Sequence, residues 1–357
     1  MSKKLLILLI PLSLSQAYEI NKKLSLDVSI TGVYQYADFS KNAKGDTGKG
    51  SVATDIGLNF HPTETDEFQL TLSFAAGNGL KKTFEGKGFA LMPNADDLED
   101  DLKNINGRNR DYLLEAWYKH SFTLNGWNIS PTVGIIDGTV YIDDNAYAND
   151  ELTQFMNDAF VNNPIAEIPS YDLGAVLEVE KNIFTFKGLV INTKNDQGKD
   201  YDYYALQMGV SYQNLTGRVY YYFTSKDFEN YKGNLDRKEG IGFSGDYTWN
   251  EKLGTFLRFG FNTNTKTGDF KSFYNGGIVI FGKLWNHPND NVGLALGYLD
   301  GNKKVSGIKN IKVAETYYQL QVNRYATLTF DVQYQYQTDE RESLKALTYG
   351  VRLNTTF

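Results

Sequence analysis

The chain of 357 residues contains no cysteine, which excludes both a disulfide framework and thiolate metal sites as the means of holding an exported fold together. Stability must come from backbone hydrogen bonds and packing. Long apolar runs are missing as well, since Leu5 to Leu14 spans only ten residues and a membrane-crossing helix needs about 20. Helices therefore do not anchor it. Histidine is scarce, with only His61, His120 and His287, and no Gly-x-Ser-x-Gly elbow, zinc signature or phosphate loop occurs. No nucleophile and base can be assembled in one place, so the chain does not read as an enzyme. A basic excess is absent too, because 36 Lys and Arg face 43 Asp and Glu for a net charge of −7. A nucleic-acid partner is set aside.

What the chain has is aromatic side chains, 25 Tyr and 22 Phe, combined with a mean hydropathy of only −0.42. A membrane barrel reconciles the two, because alternate residues face lipid and a wet lumen. The last strand shows the pattern: Leu347, Tyr349, Val351, Leu353, Thr355 and Phe357 alternate with Thr348, Gly350, Arg352 and Asn354. The amino end carries Lys3 and Lys4, the apolar stretch, and then Ser15-Gln16-Ala17, a small-x-small cleavage pattern. Residues 1–17 are expected to be a signal peptide and residues 18–357 a single domain starting at Tyr18.

Period-2 runs predict about 16 strands, each near the ~10 residues that a tilted strand needs to cross a bilayer. They are Leu24–Tyr36, Val52–Phe60, Phe68–Ala76, Tyr112–Phe122, Trp127–Ile136, Tyr171–Glu180, Phe184–Asn192 and Tyr203–Tyr212 in the first half. Thr216–Thr224, Glu239–Trp249, Thr255–Asn262, Ser272–Gly282, Asn291–Leu299, Ala314–Val322, Thr327–Tyr336 and Ala346–Phe357 follow. Connections alternate between short Asn- and Gly-bearing turns, such as Asn125-Gly126 and Asn323-Arg324, and long polar loops, above all 77–111 and 138–170. The fold class is thus all-β: a transmembrane antiparallel barrel with short periplasmic turns and long extracellular loops, one folded into the lumen. Trp127, Trp249 and Trp285 border short turns, where an interfacial belt belongs. Asn94 is expected to cap a helix presenting Leu98, Leu102 and Ile105. Asn149 or Asp150 is expected to cap a second over Glu151–Val161, with Leu152, Phe155, Met156, Ala159 and Phe160 as its apolar face.

Parity sends Asp27, Asp55, Glu115, Glu178, Glu180, Asp246, Glu315 and Asp331 inward, against Lys119, Lys187, Arg218, Arg258 and Arg352. A phosphate-type anion pore would show a basic ladder instead. The expected solute path is Trp117, Arg218, Tyr220, Tyr222, Glu315, Tyr317, Gln319, Gln321, Asp331, Gln333 and Arg352. The inward loop contributes a constriction through Asp143, Asp144, Asn149, Asp150, Phe155 and Asn157. Aromatic faces beside amides, carboxylates and guanidinium groups suit sugars. The rivals are a general or ion-selective porin without a sugar site, a plugged structural or adhesive barrel, and a soluble secreted sandwich. The acidic loop groups Asp143, Asp144 and Asp150, and Asp196, Asp200 and Asp202, lack EF-hand spacing and read as solvated loops, not as metal sites. No cofactor or metal is expected. The partners are small hydrophilic solutes and outer-membrane lipid, and a monomer and a homotrimer both fit the pattern.

Two stretches resemble the carbohydrate-selective porin family of the OprB type. One runs through Asp143-Asp144-Asn145-Ala146-Tyr147-Ala148-Asn149-Asp150-Glu151, Gln154 to Phe160, and Ile168-Pro169-Ser170-Tyr171-Asp172-Leu173-Gly174; the other is Glu315 to Leu320 with Thr329 to Tyr334. The chain departs from the family pattern at Phe330 and at Gln335-Tyr336, where a proline and an Asn-Pro are expected. The resemblance implies a sixteen-stranded outer-membrane barrel that passes sugars down their gradient. Phe357 is similar to the terminal signal read by barrel-assembly machinery.

Overall fold

The computed structural model describes residues 18–41, 43–94, 102–195 and 197–357. The first eight strands of the barrel are β1 (Leu24–Lys41), β2 (Thr47–Phe60), β3 (Asp66–Ala76), β4 (Leu113–His120, continued by Phe122–Leu124), β5 (Trp127–Ile136), β6 (Asp172–Lys181), β7 (Phe184–Lys194) and β8 (Asp200–Tyr212). The next eight are β9 (Leu215–Thr224), β10 (Glu239–Asn250), β11 (Leu253–Asn262), β12 (Phe270–Phe281), β13 (Asn291–Gly301), β14 (Ile308–Asn323), β15 (Ala326–Asp339) and β16 (Ser343–Thr356). Each pairs antiparallel with the next, and β16 pairs with β1 from Ser29 opposite Thr356 to Lys41 opposite Leu344. The ring closes at sixteen strands. Closure satisfies every strand edge, which matters in lipid because an unpaired backbone group there costs several kcal/mol. Tyr18–Asn21 folds back on β1, and Phe357 exchanges backbone bonds with Val28 at 2.9 and 3.2 Å.

The alternation read from the sequence is the alternation of the wall. On β15, Phe330 is 49% exposed on the outside while its neighbours Thr329 and Asp331 are buried within. Every predicted strand has its counterpart, and Trp127–Ile136 matches residue for residue. Several strands run further at the outer end, as β14 does in starting at Ile308. The short turns carry the backbone that Asn and Gly tolerate, with Asn125 at φ 52° followed by Gly126 at φ 77°. Trp127, Trp249 and Trp285 stand at the short-turn end as expected, and Phe68 packs there against Tyr118 in a tilted pair at 4.7 Å. A second girdle of Tyr34, Tyr36, Phe74 and Tyr298 rims the opposite end.

Of the two helical expectations, one is corrected and the other lies outside the described residues. The segment expected behind Asn94 falls mostly on residues 95–101, outside the described residues. Among its described residues the first long loop holds α1 (Lys81–Gly86) and a 3-10 turn at Ile105–Gly107. In the second, a 3-10 turn at Gly138–Val140 precedes α2 (Asp158–Val161), whose cap is Asn157, which accepts from Ala159 N at 3.0 Å. The Glu151–Val161 helix does not form because Glu315, on the wall, takes the N–H groups of Met156 at 2.7 Å and Asn157 at 3.0 Å. Those donors are then lost to the i−4 carbonyls that a helix would use.

Candidate functional site

The 138–170 segment lies inside the barrel, held by side chains that project inward near the middle of their strands. Arg258 on β11 is 0% exposed and makes four contacts with the loop. Its Nε meets Asp143 Oδ2 at 3.0 Å, and its terminal nitrogens donate to Phe160 O and Asp143 O, both at 2.9 Å, and to Asn149 Oδ1 at 3.1 Å. Arg352 on β16, also 0% exposed, donates to Glu151 O and to Gln154 O at 3.0 Å. Planar guanidinium groups suit this work, since each carries five donors and keeps its charge when buried. Amides complete the clamp: Gln207 accepts from Asp143 N at 2.9 Å, Gln319 donates to Thr153 O at 2.9 Å, and Asn157 donates to Gln333 at 2.9 Å.

Aromatic rings seat the loop from the wall. Tyr220 accepts from Asn163 at 2.8 Å, Tyr222 donates to Ile165 O at 2.5 Å, and Phe155 packs edge-on against Tyr317 at 4.9 Å. Tyr220, Tyr222 and Tyr317 each lie over a glycine on the neighbouring strand. A Cβ at Gly242, Gly240 or Gly293 would come within 2.1, 2.7 or 2.2 Å of the ring of Tyr220, Tyr222 or Tyr317 respectively. The missing side chain is what lets the ring lie flat and the loop come close.

Charge runs along the wall as a chain. Arg218 pairs with Asp144 at 2.8 Å and Asp246 at 2.7 Å, and Lys187 bridges Asp144 at 3.6 Å and Glu178 at 3.7 Å. Asp143 and Asp144 belong to the loop, outside the membrane-spanning strands. Burial pushes the Asp143 carboxyl up to about 6 against the pull of Arg258. Burial acts on Asp144 in the same sense, but Arg218 and Lys187 outweigh it and hold that carboxyl below its usual value. The expectation of a solvated acidic loop is corrected here: Asp143 is wholly buried, and Asp150 bonds to Leu152 N at 2.8 Å and to Thr153. In the other acidic loop Asp200 pairs with Arg108 at 2.7 Å and Asp202 accepts from Asn192 at 2.8 Å, while Asp196 lies outside the described residues.

The predicted solute-path residues divide into three groups. Tyr220, Tyr222, Glu315, Asp331, Gln333 and Arg352 are buried beneath the loops. Tyr317, Gln319 and Gln321 border a cavity of about 740 Å³ on the short-turn side of the 138–170 loop. Trp117 and Arg218 belong to the arc from β1 to β9, where Asp27, Asp55, Glu115, Trp117 and Lys119 are half-buried. There Asp55 accepts from Ser29 at 3.3 Å and Glu115 from Thr71 at 3.0 Å. The histidines stay at the short-turn end, with His120 on Asp66 at 2.8 Å, His61 4.0 Å from Glu67 and His287 3.8 Å from Asp290.

Sequence reasoning missed the grip of the first long loop. Pro93 O accepts from Gln35 at 2.7 Å and from Gln333 at 2.8 Å, Gln335 reaches Leu91 O at 3.2 Å, and Met92 N donates to Asp158 at 2.7 Å. The available signal was the run of inward glutamines at 333, 335 and 337, each able to hold a backbone carbonyl.

A closed sixteen-stranded wall, polar within and apolar without, and narrowed by an inward loop, defines a porin-type channel. A family model described as "Carbohydrate-selective porin, OprB family" matches residues 199–357, so it covers the second of the resembling stretches and not the first. The C-terminal part of the chain therefore carries the likeness to that family. The chain is 36% identical over 308 residues to an uncharacterized protein of Aquifex aeolicus (strain VF5), covering 86% of this chain and 89% of that one. Among solved structures it is similar to Pseudomonas putida OprB at high pH, with a TM-score of 0.77, 13% identity and 94% of each chain covered. The DcaP channel of Acinetobacter baumannii aligns with a TM-score of 0.55 at 9% identity, covering 94% of this chain and 97% of that one. These structural likenesses show the fold.

Proposed function

We propose that this porin sits in the bacterial outer membrane and lets small hydrophilic solutes diffuse passively, carbohydrates in preference to ions. It is exported after removal of residues 1–17 and directed into the membrane by its terminal Phe357. The observation that carries this reading is the asymmetric seat of the 138–170 loop. Buried Arg258 and Arg352 draw the loop against β8–β16, so the aperture falls toward the arc that bears Glu115, Trp117 and Lys119. That arc offers a ring face beside a carboxylate and an ammonium group, the combination that fits a neutral polyol. Of the solute-path residues, Trp117 and Arg218 then act at the aperture and Tyr317, Gln319 and Gln321 below it, while Tyr220, Tyr222, Glu315, Asp331, Gln333 and Arg352 set its width by holding the loops.

One observation favours a general diffusion porin instead: Tyr220 and Tyr222 are covered by the loop, which removes two aromatic surfaces from the path. Liposome swelling with size-matched sugars, amino acids and salts separates the two. Sugars should enter faster than amino acids of equal size; rates ordered by size alone would leave only the general porin. No swelling and no conductance would mean a plugged barrel.

A further inference from the structure

The lipid-facing side of the wall carries a row in which tyrosine alternates with lysine. Tyr298 on β13 stands opposite Lys312 on β14, Lys312 opposite Tyr336 on β15, and Tyr336 opposite Lys345 on β16. All four point outward at the level of the upper aromatic girdle, since the alternate positions Val313, Gln335, Leu344 and Ala346 are buried. Neighbouring strands lie about 4.8 Å apart, which sets the two lysines about 10 Å from each other. We propose that this row, with the trough beneath it, binds a phosphorylated glycolipid of the outer leaflet, a reading that rests on the outer-membrane location.

Neither lysine charge is neutralised by the protein. Among the described residues no carboxylate forms an ion pair with Lys312 or Lys345, whereas on the same rim Arg237 meets Glu239 at 2.5 Å. Asp300, diagonal to Lys312, is taken by Lys271 at 3.4 Å. Asp38 lies diagonal to Lys345 across the seam, and that lysine leans over the Tyr334 ring at 5.4 Å. Lys312 is therefore the less opposed of the two. Above it the segment from Asn302 to Lys312 holds four lysines and no acid, in a chain of net charge −7. The next loop sets Arg341 between Glu340 and Glu342, while Asp339 accepts from Gln337 at 3.1 Å. Anionic headgroups are drawn to such a rim.

A second observation is independent of charge. Below Lys312 the outward positions of β14 are Ala314 and Thr316, and the Thr316 hydroxyl turns back to Gly293 O at 3.0 Å. In the same two rows β13 presents Leu296 and Leu294, and β15 presents Tyr334 and Val332, all four exposed. Small side chains between long ones leave a trough that starts at the lysine and runs toward the membrane centre. Its flanking strands are about 10 Å apart, room for one extended acyl chain. A lysine stem can lie along this apolar surface while its ammonium group reaches a phosphate, and the rings of Tyr298 and Tyr336 sit at the depth of the sugars. Two cations so spaced match a headgroup with more than one phosphate better than they match a zwitterionic phospholipid.

The test uses the full-length protein folded in detergent and observed intact by native mass spectrometry, with lipid A as the probe. One lipid A per barrel is expected, and lipid A stripped of its phosphates should bind on the order of tenfold more weakly. Lys312→Gln combined with Lys345→Gln should weaken intact lipid A by a similar factor. Thr316→Phe, which fills the trough and leaves the charge, should weaken it as well, and both variants should keep the wild-type band on unboiled gels. Lipid A held by either variant as tightly as by wild type, or no better than its dephosphorylated form, would overturn the site. Membrane fractionation separates this outcome from the reading beneath it: a chain found with the outer membrane that retains no lipid A loses the site alone, whereas a chain found in another fraction loses the outer-membrane location and the site with it.

Discussion

Arg258 is the residue on which the seat of the inner loop most directly depends, because one guanidinium group satisfies atoms of Asp143, Asn149 and Phe160 together. Removing one partner of a buried pair costs about 3–5 kcal/mol, whereas replacing both by apolar groups of like volume is often neutral. Arg258→Ala should therefore enlarge single-channel conductance and make it noisy, while Arg258→Met combined with Asp143→Leu should remain closer to wild type. The Asp143 carboxyl adds a pH dependence whose sign follows from its shift. Its carboxyl titrates near 6 when buried, above its ordinary value, so protons favour the seated loop. The stabilisation is complete below the ordinary carboxylate range and is lost as pH rises through about 6, a difference of up to about 3 kcal/mol. Loop-dependent current noise should increase from pH 4 to pH 7, and Asp143→Asn should flatten that component.

At the scale of elements, strands and turns were legible in the sequence because both signals are local. Alternation every second residue fixes which side chains meet lipid, and Asn125-Gly126 fixes a hairpin whatever the rest of the chain does. The path of the inner loop was not legible, because its bonds come from partners far along the chain. Local periodicity over Leu152 to Phe160 favours a helix, and distant wall groups decide against it: the carboxylate of Glu315, 159 residues from Met156, together with Arg352 and Gln319, which take the carbonyls of Glu151, Gln154 and Thr153. The division of the inward residues was hidden for the same reason: parity sends Arg352 and Trp117 alike into the lumen but does not say which one the loop covers. Hydrogen bonds to charged groups contribute about 1.5–3 kcal/mol each, so Glu315→Ala should loosen the loop locally. Hydrogen–deuterium exchange should quicken over residues 150–161 and stay unchanged on β14 and β15; unaltered exchange in the loop would show that Glu315 is not its anchor.

For the whole molecule the decisive feature is the seam between the last strand and the first. Deleting residues 343–357 would leave β15 and β1 with open edges in hydrocarbon, a penalty of several kcal/mol for each unsatisfied group. Such a chain should not give the compact, heat-modifiable band on unboiled gels that the intact barrel gives, whereas Phe357→Ala should lower the amount assembled without changing the band's mobility. The pairing of inward rings with neighbouring glycines reaches further than packing. Tyr220 and Gly242 occupy one volume between them, as do Tyr317 and Gly293, so neither member is free to vary alone. A lineage that enlarges the glycine must shrink its partner in the same step or surrender the loop. Descent along this wall then proceeds by double exchanges, and the gauge of the hole can be inherited while individual letters are rewritten.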